Sequence, residues 1–137
     1  MNAVEDITAL EHAFIAATST EEVMAYMDPD HVRYDYAAPL QLQGAAALRE
    51  AFDAFFTLCS APKGQFLTLH VEASDELGVA HSIMHFAWQD AAGAPHEGTF
   101  RVTHVLRHHA DGWKIFHSHV SLPLDPATGM ARMDLRL

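Results

Sequence analysis

The chain has 137 residues, with 8 lysines and arginines against 18 aspartates and glutamates, a formal charge of −10 with histidine neutral. That balance, with no basic cluster, speaks against nucleic acid and anionic membrane surfaces as partners. At half apolar and 19% charged, the composition is that of a folded domain and not of a disordered chain.

The length fits one domain over 1–137 with a core of its own. No apolar stretch approaches the roughly 18 residues of a membrane span. The start, MNAVEDITALEH, lacks the basic and apolar regions of a signal peptide. Cys59 is the single cysteine, so no intrachain disulfide can form and a reducing, cytoplasmic setting is expected. Eleven histidines outnumber the fixed cations. The net charge should therefore become much less negative between roughly pH 7 and 5.5.

In chain order, residues 4–17 are predicted as a helix, with Ile7, Leu10, Phe14 and Ala17 at spacings of three and four. Ser19 and Glu22 have capping-box spacing and open a short second helix through Val23, Met24 and Met27. Asp28-Pro29-Asp30 ends it, because proline disfavours helical dihedrals in the residue before it. His31 to Ala37 alternates and carries valine and tyrosine, predicting a strand. Pro39 and Gly44 mark a loop. Ala45 to Cys59 is the clearest helix, with Leu48, Phe52, Phe55, Phe56 and Cys59 on one stripe, and Pro62-Lys63-Gly64 breaks it.

The second half is predicted as four strands, 65–73, 79–89, 97–109 and 113–122, separated by turn signals. Three helices with an antiparallel meander make an α+β arrangement, helices on one face of a curved sheet. The tail after Pro123 is weakly patterned and is expected to fray or to dock on a partner subunit.

Two segments carry a resemblance. One is Tyr34-Asp35-Tyr36 with Pro39-Leu40-Gln41 and Gly44; the other is Arg101-Val102-Thr103, Asp111-Gly112-Trp113 and His117-Ser118-His119-Val120-Ser121-Leu122-Pro123. Asp125, Thr128-Gly129 and Ala131 continue the second. With the order of elements, they resemble the SnoaL-like and ketosteroid isomerase-like proteins of the nuclear transport factor 2-like superfamily. The resemblance implies a cone-shaped α+β barrel of cystatin-like type, with three N-terminal helices packed on a curved antiparallel sheet. It also implies a homodimer paired through the sheet. It does not name a reaction, because one fold hosts many.

The resemblance places Asp35 where ketosteroid isomerases carry their general-base aspartate, with its side chain inside the cone. A carboxylate in a mostly apolar cavity is disfavoured as an anion, so its pKa should rise. It would then serve as a base beside a carbonyl at neutral pH. The alternative is a strand-edge carboxylate held by Arg33 or a backbone amide. The isomerases' oxyanion donors, a tyrosine and a protonated aspartate, are not matched. A gap-free alignment puts Glu11 and His104 at those positions, so steroid isomerisation itself is not expected.

His117 and His119 are two apart on a strand and share a face with Trp113, Ile115 and Ser121. Apolar Trp113 and Ile115 predict that this face points inward. Two inward histidines act as proton donors, oxyanion partners or metal ligands, or are neutral and satisfied by hydrogen bonds inside the cone. A three-residue turn at 110–112 sets Arg101, Thr103 and Val105 beside them; a two-residue turn on Asp111-Gly112 brings Val102, His104 and Leu106 instead. The first is preferred, since it puts Arg101 near Asp35, either to clamp a ligand oxygen or to neutralise the carboxylate. In the strand 79–89 the even set, Ser82, Met84, Phe86 and Trp88, is expected to form the core or cavity wall, leaving His81 and His85 outside.

The expected protein is a small-molecule pocket that needs no cofactor and transfers a proton on a small apolar carbonyl compound. Its catalytic residues would be Asp35, His117 and His119, and its substrate-binding residues Arg101, Thr103, Trp113, Ser121, Trp88 and Phe56. The rivals are a non-catalytic ligand-binding or dimerisation module, and a metal site in which His117 and His119 are joined by Asp35 or His104.

Overall fold

The computed structural model describes residues 2–137. The elements are α1 (Ala3–Ile15), α2 (Thr20–Met24), β1 (Met27–Tyr34), β2 (Leu42–Gln43), α3 (Ala45–Leu58), β3 (Ser60–Ala73), β4 (Leu77–Gln89), β5 (Pro95–His109) and β6 (Gly112–Ser121). They form a mixed α+β fold around one six-stranded sheet in the order β2-β1-β6-β5-β4-β3. All neighbours are antiparallel except β1 and β6, which run parallel. The sheet is open, with β2 and β3 as its edges. Only α1 and α2 precede the sheet, and α2 has five residues; α3 follows β2.

Local chemistry explains most boundaries. Asn2 caps α1 by accepting from the Glu5 amide, and Ser19 caps α2 by accepting from the Glu22 amide. The helix α3, expected to be broken by Pro62-Lys63-Gly64, already ends at Leu58, and β3 starts at Ser60 and passes through those residues with a register shift between Ser60 and Lys63. Gly64 and Gly78 lie directly under α1, and a Cβ at either would collide with Ile15 or Ile7. Those glycines let the helix sit close on β3 and β4. β1 likewise starts at Met27 and passes Pro29, with a register shift between Met27 and Val32. Asp28 turns inward there, and its carboxylate accepts from the Asp30 amide and pairs with His109 Nε2 at 2.6 Å.

The core is formed by Ile7, Val23, Met27, Leu48, Leu106, Trp113 and Ile115, between the helices and the inner sheet face. A second cluster, Phe100, Val102 and Val120, gathers Met84, Phe86, Trp88 and Met133. The tail docks on its own chain. β6 stops at Ser121, so the first residues of β5 lack a ladder partner on that side. Met133 O accepts from the Thr99 amide at 2.9 Å, and Arg136 pairs with Glu97 at 2.9 Å.

The β5–β6 register sets which side chains face inward. The turn is Ala110-Asp111, with His109 opposite Gly112. Further along, Val105 opposes His117, Thr103 opposes His119 and Arg101 opposes Ser121, the neighbours that a three-residue turn predicts. Between the two stretches Leu106 pairs with Ile115 and Val105 with His117, leaving Phe116 as an extra residue. Such a bulge reverses the in/out alternation of the strand beyond it. Trp113 and Ile115 are buried before it, Ser118 and Val120 after it.

Candidate functional site

A cavity of about 220 Å³ lies between the inner sheet face and helices α1 and α3. Its wall is largely aromatic: Phe14 from α1, Phe52, Phe55 and Phe56 from α3, and Phe66, Phe86, Trp88 and Phe100 from the sheet. An apolar cavity of about 150 Å³ is enough to hold benzene, so this one suits a compound of one or two rings.

Two polar pairs interrupt the apolar wall. The first is Arg33 and Asp35, with Nε to Oδ2 at 3.5 Å and both side chains largely buried. Asp35 Oδ1 also accepts from the Tyr36 amide at 2.9 Å. The carboxylate thus has the two partners, Arg33 and an amide, that the alternative reading assigned to it, and it still lines the cavity. Arg33 is itself held from behind. His31 is fully buried, with Nδ1 at 2.8 Å from Ile115 O and Nε2 at 2.8 Å from Ser118 Oγ.

The carbonyl can only accept, so Nδ1–H donates to it, and Nε2 accepts from the Ser118 hydroxyl. Ser118 Oγ in turn accepts from Arg33 Nη1 at 3.3 Å. Donation therefore runs from Arg33 in two directions, through the Ser118 hydroxyl and His31 to Ile115 O on one side and to the Asp35 carboxylate on the other. Burial pushes the His31 pKa down to about 4, partly opposed by the bond to Ile115 O, so the ring is neutral at pH 7.

The second pair is Glu11 from α1 and His104 from β5, with Nδ1 2.7 and 2.9 Å from the two carboxylate oxygens. Both are almost fully buried, at 2% and 3% exposure, and both line the cavity. The Phe14 ring packs edge-on against the imidazole at 5.2 Å. Ser82, Tyr36 and Cys59 add the remaining polar atoms of the wall. Burial pushes the Cys59 thiol up, which disfavours a reactive thiolate. Burial, with Asp35 nearby, raises the Tyr36 phenol.

Of the residues expected from sequence, Asp35, Trp88 and Phe56 line this cavity and the others do not. Because of the bulge at Phe116, His117 and His119 lie on the opposite sheet face from Trp113 and Ile115. The Tyr34 ring packs on them at 4.8 and 5.6 Å, and His117 Nδ1 bonds Val32 O. Arg101 and Thr103 share that outer face, where Arg101 Nε donates to Ser121 Oγ at 3.1 Å. The cation beside Asp35 is Arg33, not Arg101. Trp113 is inward but belongs to the core, stacked on His108.

The rival metal set is split by the sheet, with His117 and His119 outside and Asp35 and His104 inside. Among the described residues no three His, Cys, Asp or Glu side chains converge as a metal site, and no helix is long and apolar enough to cross a membrane. His31, which is fully buried behind Arg33, is a further inward histidine that is not among the residues expected from sequence. Glu11 and His104 are the site residues that periodicity passed over. The available signal was a glutamate on the buried stripe Ile7, Glu11, Phe14 of an otherwise apolar helix face.

A six-stranded open sheet wrapped with helices round an apolar cavity defines the class of the nuclear transport factor 2-like, cystatin-like folds. The SnoaL-like domain family matches residues 4–125, and the chain belongs to that family. Its fold is shared with a nuclear transport factor 2-like protein of unknown function from Pseudomonas putida KT2440, 24% identical, with 98% of this chain and 96% of that chain aligned at a TM-score of 0.87. A ketosteroid isomerase-like protein from Erwinia carotovora atroseptica SCRI1043 aligns at 20% identity over 88% and 97% of the two chains, with a TM-score of 0.74. A protein with a cystatin-like fold from Caulobacter vibrioides aligns at 18% over 90% of each, with a TM-score of 0.73. At these identities the likeness concerns the fold alone. No curated protein matches the chain.

Proposed function

We propose that this chain is a small-molecule pocket protein that transfers a proton on a small, mainly apolar carbonyl compound and needs no cofactor to do so. The reaction would fall among those of isomerases, cyclases, dehydratases and hydrolases. The observation that carries the reading is a carboxylate, Asp35, set in the wall of an aromatic cavity of about 220 Å³. Asp35 acts as the base that removes a proton next to the carbonyl. Arg33, at 3.5 Å, positions the carboxylate and is itself positioned by Ser118 and His31. Trp88 and Phe56 hold the apolar body of the ligand. In line with the family resemblance, the chain acts as one domain and pairs with a second copy through the outer sheet face.

The test uses 2-indanone, a two-ring ketone with exchangeable α-protons, in deuterated buffer. The wild-type protein should accelerate deuterium uptake at the α-carbons, seen by proton NMR, and Asp35→Asn should lower that rate about 100-fold or more. An Asp35→Asn rate equal to wild type would remove the base assignment. Binding without any acceleration over buffer would leave a ligand-binding module. That second reading has its own support, since both Asp35 oxygens already have protein partners.

A further inference from the structure

Gly98 leaves a gap on the inner face of β5, and the C-terminal tail fills it. The buried positions that alternate along this strand are Gly98, Phe100, Val102, His104 and Leu106, and Gly98 alone has no side chain. A Cβ placed there would lie 3.2 Å from Met133 Cβ, 3.3 Å from Met133 Sδ and 3.1 Å from Phe100 Cε2. The space that β5 leaves open is therefore taken by a side chain from the far end of the chain. Backbone holds the tail in place there: Met133 O accepts from the Thr99 amide at 2.9 Å, where β6 has already stopped. Arg136 adds a bond to Thr99 Oγ1 and its pair with Glu97, both exposed. Exposed pairs of this kind contribute little, so the apolar contact of Met133 is the main side-chain anchor of the tail.

The gap borders the cavity. Across the β4–β5 ladder Gly98 opposes Phe86, and Phe100, two residues along, opposes Met84. Phe86, Phe100 and Met84 line the cavity, whereas Gly98 and Met133 do not. Phe100 is held on two sides, by Met133 and by the Tyr36 ring at 5.1 Å. Without the Met133 side chain, the space over Gly98 would join the cavity, and Phe100 would have room to turn into it. Interiors are close-packed, so a side chain at such a border sets the volume that a ligand can use.

We infer that Met133 determines the size of ligand that the pocket accepts: seated over Gly98, it holds Phe100 across one end of the cavity and excludes flat ligands of three fused rings. It acts through Phe100 and the filled gap without touching the ligand, and so is a positioning residue. This inference rests on the pocket reading above but not on the role of Asp35.

The test compares 2-indanone with fluorenone, a flat ketone of three fused rings, by quenching of tryptophan fluorescence, Trp88 being in the cavity wall. Wild type should bind 2-indanone about tenfold more tightly than fluorenone. Met133→Ala should bind the two with nearly equal affinity, while its affinity for 2-indanone stays within about threefold of wild type. Met133→Leu, of similar volume, should keep the wild-type preference. In Met133→Ala, bound fluorenone should give nuclear Overhauser contacts to the Gly98 α-protons, which a purely structural role of Met133 would not create. Thermal melts check that each variant is folded, and Met133→Val is read in the same way if Met133→Ala does not fold. A preference unchanged in the folded variant, with both ketones weakened in proportion or not at all, overturns the inference and leaves the pocket reading standing. Wild type that binds fluorenone as tightly as 2-indanone also overturns it. If 2-indanone does not bind wild type, the pocket reading falls and the inference falls with it.

Discussion

His31 makes the fold acid-sensitive by an amount that the structure allows to be worked out. The ring is fully buried, with both nitrogens bonded, and burial holds its pKa at about 4 against 6.5 for the free side chain. A group whose folded pKa is depressed in this way is a cation in the unfolded chain before it is one in the fold. Its contribution to stability is complete above pH 6.5 and is lost as pH falls towards 4.

Between pH 7 and about 4.5 the unfolded state takes up almost one proton at this site while the fold takes up little, which removes about 2 kcal/mol. Urea denaturation at the two pH values would measure it against His31→Gln, which cannot titrate. Acid effects of the carboxylates are common to both proteins and cancel in the difference. The variant itself should lose about 1–3 kcal/mol at pH 7, because Ile115 O and Ser118 lose a well-placed partner. Wild type and variant that weaken equally on acidification, or an NMR titration of His31 with its midpoint above pH 6, would refute the reasoning.

Two further outcomes are expected. His109→Ala should cost about 1–3 kcal/mol at pH 7 by leaving buried Asp28 with only the Asp30 amide and distant Arg107. Burial alone would push the Asp28 pKa up, but the hydrogen bonds from the Asp30 amide and His109, with Arg107, outweigh it and hold the carboxyl below its usual value. That part of the stability is therefore present above pH 3.8 and fades below it; chemical denaturation from neutral to acid pH checks both. Gly78→Ala should destabilise by about 1–3 kcal/mol because its Cβ meets Ile7 Cδ1, and adding Ile7→Val should recover part of the loss in thermal melts.

Much of the architecture was legible because the hydrophobic pattern was long and regular. The stripe of Leu48, Phe52, Phe55 and Phe56 places α3 on the cavity, and the even positions of β4 place Ser82, Met84, Phe86 and Trp88 there. The histidines of β6 were misread for a physical reason. Pattern reading assumes an unbroken period of two, and a single extra residue at Phe116, packed under the Arg107 guanidinium at 4.2 Å, breaks it without any local composition signal. Periodicity could not join Glu11 and His104, which are 93 positions apart; only the family alignment set them together, at the isomerases' oxyanion-donor positions. Their pairing is a property of the packed helix and sheet. Asp35 was found by resemblance, and of the two arginines weighed as its partner Arg33 is the one beside it, while the missed reversal of face puts Arg101 on the outer side.

The extra residue in β6 has an evolutionary side. Ordinarily, changing what a pocket presents to its ligand takes several independent substitutions, each of which must survive selection on its own. Here the strand carries two alternative linings, and the choice depends on one residue held out of the ladder. With Phe116 bulged, Ser118 and Val120 face inward. Taking Phe116 into a regular ladder would turn His117, His119 and Ser121 inward together, whereas deleting it would remove the bulge and keep the present lining. The face that such a strand shows its pocket is therefore set by register, and not by the residue types along it.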